Sequence, residues 1–145
     1  MNEEQELMKH IHKDASMAAY SITKLLDDLK KKDNKIKKYL QEILKEYEKY
    51  AEITNNELEN NCATPVEEGS MAKMMASMGI KKEVMADNSD AAMADMMIKG
   101  ISMGTIEMEK KINDYKDVVS KDQLKIAKDF LKFQQETIEK LKEYL

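Results

Sequence analysis

Apolar residues recur at alternating steps of three and four along most of this chain, with charged residues between them. The first run passes through Met8, Ile11, Ala15, Ala18, Ile22, Leu25 and Leu29 and predicts a helix over about 3–31. A second, through Ile36, Leu40, Ile43, Tyr47, Tyr50, Thr54 and Leu58, predicts a helix over about 34–61. A third, through Ala94, Ile98, Ile101, Thr105, Met108, Ile112 and Tyr115, predicts one over about 89–115. The last passes through Leu124, Ala127, Leu131, Gln134, Ile138, Leu141 and Leu145 and covers about 121–145, with Ser120 and Gln123 spaced as a capping box at its start. Leu26, Leu44, Met97 and Phe130 widen these seams beyond what a two-stranded coiled coil uses, so four helices around one core fit the pattern better.

The connections divide the helices into pairs. "KKDN" and "KDVVS" are short, and each joins its neighbours as an antiparallel hairpin. Residues 62–88 form a much longer connection, with Pro65, Gly69 and Gly79 in it. Ser70 and Gly79 read as the N-cap and the stop of a short helix over 70–78. A simple turn does not need so many residues. A segment running the length of a bundle about 40 Å long does, and that is the one-crossover arrangement of ferritin-like folds. Such a crossover brings Asp87 and Asp90 beside the lysines of the first turn, Lys31, Lys32, Lys35 and Lys37, with exposed pairs worth about 0–1 kcal/mol each.

The strings "HKDASMAAYSITKLL", "GSMAKMMASMGIK" and "DMMIKGISMGTIEM" resemble small, uncharacterised ferritin-like proteins of anaerobic Gram-positive bacteria. The resemblance covers most of the chain through short strings. It implies a ferritin-like four-helix bundle, whose wider superfamily often carries a di-iron site. It also implies an acid near Ser16 and a histidine near Ala92; this chain has neither, although Asp95 remains.

Composition narrows the chemistry further. The 145 residues suit one domain, and a single proline and no tryptophan among abundant Lys, Glu, Leu, Met and Ala point to an all-α protein. Net charge is −4, every basic residue is lysine, and arginine, which reads phosphates and guanine edges with a rigid fork, is absent. Specific nucleic-acid recognition is therefore not expected. The acidic start has no apolar signal region and no run reaches about 20 apolar residues, so a cytoplasmic protein without a transmembrane segment is expected. Cys62 is alone, which excludes an intrachain disulfide, and its acidic neighbours do not favour a thiolate nucleophile. No phosphate-binding glycine loop or nucleophile-elbow motif is present.

A ferritin-type two-metal centre draws carboxylates from four helices and a Glu-x-x-His pair from two. The only histidines, His10 and His12, lie in the first helix, and Gln134 stands on the last seam where such a centre wants Glu. His10, Asp14 and Asp95 are weak candidate ligands, and His10 with Asp14 reads more simply as a solvated pair near the helix start. Tyr47, Tyr50 and Gln134 are expected inside the bundle, at least partly buried and hydrogen-bonded, because an unpartnered buried polar group costs about 1–3 kcal/mol.

Eight of the 13 methionines fall within residues 71–97. Met71, Met74, Met75 and Met78 form one helical stripe. Thioethers bind Cu(I), but pliable packing against the bundle, or docking on a second copy or a partner helix, suits the stripe better. Gly100 and Gly104 read as a place where a neighbouring backbone comes close. The six lysines of "KKKDNKIKK" read as a solvated helix end more simply than as a docking patch. The expectation is a non-catalytic helical bundle serving as an interaction or structural protein, with a second copy of the chain or another helical protein as its partner and no cofactor. The alternatives are an iron or manganese redox or storage protein and Cu(I) binding.

Overall fold

A computed structural model describes residues 3–65 and 69–145. The described elements are all helical: α1 (Glu3–Asp28), α2 (Ile36–Asn60), α3 (Ser70–Ala86), α4 (Asp90–Tyr115) and α5 (Lys121–Leu141), with a final 3-10 turn, Lys142–Tyr144. α1 and α2 pack along their length as one hairpin, α4 and α5 as another, and α3 lies against α1. Among the described residues no helix is long and apolar enough to cross a membrane.

The seams of α1 and α2 go into the core as their spacing predicts. All seven seam positions of α2 are buried, and so are Met8, Ile11, Ala15, Ile22 and Leu25 of α1 and Leu29 just past its end, while Ala18 is partly covered. α5 differs. Its buried stripe is Gln123, Ala127, Phe130, Gln134, Thr137 and Leu141, while Leu124, Leu131 and Ile138 are only partly covered and Leu145 is exposed. Phe130 is the cause: turning this ring into the core carries Gln123 and Thr137 inward with it. Thr137 meets its own need by donating to Phe133 O at 2.7 Å. Ser120 caps α5 by accepting from Gln123 N at 3.1 Å.

The α1–α2 turn meets the start of α4. Lys35 offers α2 no side-chain cap. Instead Asp90 accepts from Lys35 N (3.2 Å), Ile36 N (3.4 Å) and Asn34 Nδ2 (3.0 Å), and Asn34 Nδ2 also donates to Asn88 O at 2.7 Å. One carboxylate thus serves two helix N-termini, where backbone N–H groups lack partners and the dipole favours an anion. The expected ion pairs with the turn lysines do not form among the described residues. Asp90 finds backbone donors, and Asp87 accepts from Ser89 N at 3.0 Å. Lys37 turns to the end of α1, donating to Lys32 O at 2.6 Å.

α3 corrects the expectation of a helix over 70–78. It continues through Gly79 to Ala86. A glycine inside a helix costs about 1 kcal/mol and stops it only when the chain takes a positive φ there, which Gly79 does not. Such a stop does occur at the end of α2: Cys62 has φ 56°, with Ala63 N donating to Leu58 O at 2.8 Å and Cys62 N to Glu59 O at 3.1 Å.

Candidate functional site

The inner face of α3 consists of Ala72, Ala76, Ile80 and Val84, one residue per turn, all at least partly covered. These two alanines and two β-branched side chains hold α3 against α1 without filling the space below. A cleft of about 470 Å³ opens there, between α1, α3 and α4. Its walls are apolar and rich in thioether, with Met17 and Leu25 from α1, Ile80 from α3, and Met96 and Met97 from α4. The glycines matter because of what they leave out. A Cβ at Gly79 or Gly100 would meet nothing within 4 Å. Gly100 is therefore not a point of close backbone approach, contrary to the expectation for this glycine pair. It is part of the opening.

The inner end of the cleft is polar. Asp14 of α1, Tyr47 of α2 and Gln134 of α5 reach it, and Gly104 of α4 makes room for them. A Cβ on Gly104 would stand 3.2 Å from Gln134 Nε2 and 3.5 Å from Asp14 Oδ2. Gln134 is 1% exposed and donates through Nε2 to Asp14 Oδ2 at 3.4 Å. Its Oε1 is buried and has no hydrogen-bond partner among the described residues. Burial raises the Asp14 pKa above the ordinary carboxylate value, and the Gln134 amide opposes the rise. Burial likewise pushes the Tyr47 hydroxyl up, against the same amide. Asp14 makes no ion pair among the described residues, so burial acts on it without a neighbouring cation.

The other side of Tyr47 is closed by rings. Tyr47 meets Phe133 edge-on at 4.9 Å between centroids, and Tyr50 meets Phe130 at 5.1 Å and Phe133 at 5.7 Å. Tyr47, Tyr50 and Gln134 are thus interior, as their seam positions predict. Among the described residues Tyr50 makes ring contacts rather than the expected side-chain hydrogen bond.

His10 and Asp14 are not the solvated pair that their place near the helix start suggested. His10 Nε2 is buried and without a hydrogen-bond partner among the described residues, and burial together with the Lys111 charge lowers the imidazole pKa. His12 is buried against α2, its Nδ1 2.9 Å from Ala51 O and 3.2 Å from Thr54 Oγ1. Asp95 lies on the surface, paired with Lys99 at 2.8 Å. The structure does not bring His10, Asp14 and Asp95 together, and no group of three or more His, Cys, Asp or Glu side chains suited to a metal occurs among the described residues. The donors at the inner end are one carboxylate, one amide and one phenol, which does not fit the carboxylate-rich set of a two-metal centre.

Met75 and Met78 are 68% and 66% exposed, with Met85 beyond them on the same outer side of α3. They do not pack into their own bundle, because the alanine-lined face takes that place. The side chains of Met71 and Met74 lie outside the described residues. Cys62 is exposed.

The glycine-lined cleft is invisible to a seam reading, which locates residues that fill space and not residues that leave it open. The available signal was Gly100 and Gly104, four apart on a helix whose flank also carries Met96 and Met97. Comparison with protein families, curated proteins and solved structures finds no match to this chain.

Proposed function

We propose that this chain is a non-catalytic, ferritin-like four-helix bundle that acts by binding, with the cleft between α1, α3 and α4 as its site. The single observation that carries the reading is the cleft itself: about 470 Å³ of apolar space ending on a buried acceptor, Gln134 Oε1, that no described residue satisfies. Ligand pockets are of this size and kind, mostly apolar with a few placed polar groups. The bonds from Asp90 to the first turn of α2 support a one-crossover connection, because they set the starts of α2 and α4 side by side. An up-down bundle would separate those two ends.

The test uses a neutral apolar probe, 1-naphthalenemethanol, followed by its own fluorescence. Saturable binding to the wild-type protein, abolished in Gly100→Leu, supports the reading. Equal binding to both proteins, or none to either, contradicts it.

A second reading concerns the outer side of α3. Met75, Met78 and Met85 give a second copy of the chain a pliable apolar surface, which favours a homodimer through this helix. Sedimentation of Met75→Ser/Met78→Ser against wild type decides it, a dimer weakened in the variant being the supporting result. An iron or manganese protein is the alternative of a different class. Stoichiometric iron or manganese in protein purified without chelator would overturn the non-metal reading.

A further inference from the structure

Among the described residues, the charges lining the cleft all have one sign. Asp14 sits at the inner end and Glu83 on α3 near solvent, and no lysine or histidine is among the lining residues. Apart from the Tyr47 hydroxyl, the hydrogen-bonding capacity left at the inner end is that of acceptors. Gln134 spends an Nε2 proton on Asp14 Oδ2, which leaves Gln134 Oε1 and the carboxylate oxygens of Asp14 as acceptors. A buried acceptor without a donor is costly, and a half-buried carboxylate without a cation adds to that cost.

Resting on the reading of the cleft as a binding site, we infer that its ligand is a small primary amine with an apolar body. The protonated amine is set between Asp14 and Gln134 Oε1, and the apolar body lies along Met17, Met96 and Met97. An ammonium carries three donors and no acceptor, which matches what the inner end lacks. Its hydrogen bonds to a carboxylate are charge-assisted and about twice as strong as neutral ones. Thioether walls adapt to the shape of the apolar part. A carboxylate ligand is disfavoured twice, by Asp14 and by Glu83. A neutral alcohol supplies one donor and leaves Asp14 without a counter-charge. Gly104 positions the pair, since any side chain there would press on both Gln134 Nε2 and Asp14. Burial raises the Asp14 pKa, and a cation beside the carboxylate opposes that rise.

Three probes of one shape test this: 1-naphthalenemethylamine, 1-naphthalenemethanol and 1-naphthoate, titrated into wild type, Asp14→Asn and Gly100→Leu. In wild type the amine should bind about tenfold or more tighter than the alcohol, the worth of about one charge-assisted bond over a neutral one, and the naphthoate weakest of the three. Asp14→Asn should bring the amine down to the affinity of the alcohol while melting no lower than wild type, which shows that it folds. Gly100→Leu should lose the amine and the alcohol together. Alcohol binding that Gly100→Leu abolishes, with no preference for the amine, overturns the ligand class and leaves the cleft standing. An amine preference that persists in Asp14→Asn overturns it too. No binding of any probe to wild type overturns both the cleft reading and the ligand class.

Discussion

The two sides of Tyr47 are built in opposite ways. Toward α5 the space is filled by Phe130, Phe133 and Tyr50, ring against ring at centroid distances from 4.9 to 6.4 Å. Toward α3 and α4 it is left open by Gly79, Gly100 and Gly104. Filled space supplies stability: each buried ring contributes its area plus about 0.5–1.5 kcal/mol of edge or offset contact. Open space supplies none. It persists because the helices around it are held elsewhere, by the α1–α2 and α4–α5 hairpins and by the Asp90 cap. A bundle that keeps such a gap has given up packing that one leucine at Gly100 would provide.

The contrast should be sharpest under truncation. Phe130→Ala should lower unfolding stability by about 3–5 kcal/mol, read by denaturant or heat, because a closed ring cluster cannot collapse around the cavity. Met97→Ala, half-buried and already facing empty space, should cost about 1 kcal/mol or less. Equal losses would mean that the cleft side is packed as tightly as the ring side.

The next largest effect belongs to the brace between the hairpins. Asp90→Ala removes acceptors from two backbone N–H groups and from Asn34, and should cost about 1–2 kcal/mol. Ordinary surface aspartates such as Asp95, whose pair with Lys99 is exposed, should lie within about 0.5 kcal/mol when changed to alanine.

Two glycines four residues apart should respond with opposite signs. Gly100→Ala adds a methyl group to open space and should stabilise by about 0.5–1 kcal/mol through helix propensity. Gly104→Ala meets Gln134 Nε2 at 3.2 Å and should forgo that gain, while displacing Gln134 from Asp14. Thermal melts of the two variants side by side decide it.

Asp14 supplies a pH signature. Its folded pKa is raised above the ordinary carboxylate value of 3.8, so the folded protein holds this proton after the unfolded chain has released it. The contribution of Asp14 to stability is therefore most favourable below 3.8 and is lost as pH rises through the raised folded value. Asp14→Asn should melt higher than wild type at neutral pH, and the gap should close toward acid. A gap that widens toward acid would place a cation beside Asp14.

Much of this architecture is legible as periodicity. The α2 seam, from Ile36 to Leu58, can be read position by position, because its apolar residues form one stripe with charges on both sides. α5 is less legible, since Leu124, Leu131 and Ile138 compete with Phe130 for the interior, and a three-four count cannot weigh one ring against three aliphatic chains. α3 is least legible. It is apolar nearly all round, so the conspicuous methionines suggested the buried face when the alanines occupy it. Gln134 and Tyr47 could be placed inside from their register. That Asp14 meets them could not, because its partners lie on two other helices and depend on a glycine in a third.

Methionine methyl NMR tests the central claim most directly, since these groups stand on both surfaces in question. In protein labelled at the methionine methyl groups, added 1-naphthalenemethylamine should shift the signals of Met17, Met96 and Met97, which line the cleft. It should leave Met75, Met85 and Met103, exposed on the outer surface, where they were. Shifts confined to Met75, Met78 and Met85, with the three cleft signals unmoved, would contradict the account and assign binding to the outside of α3.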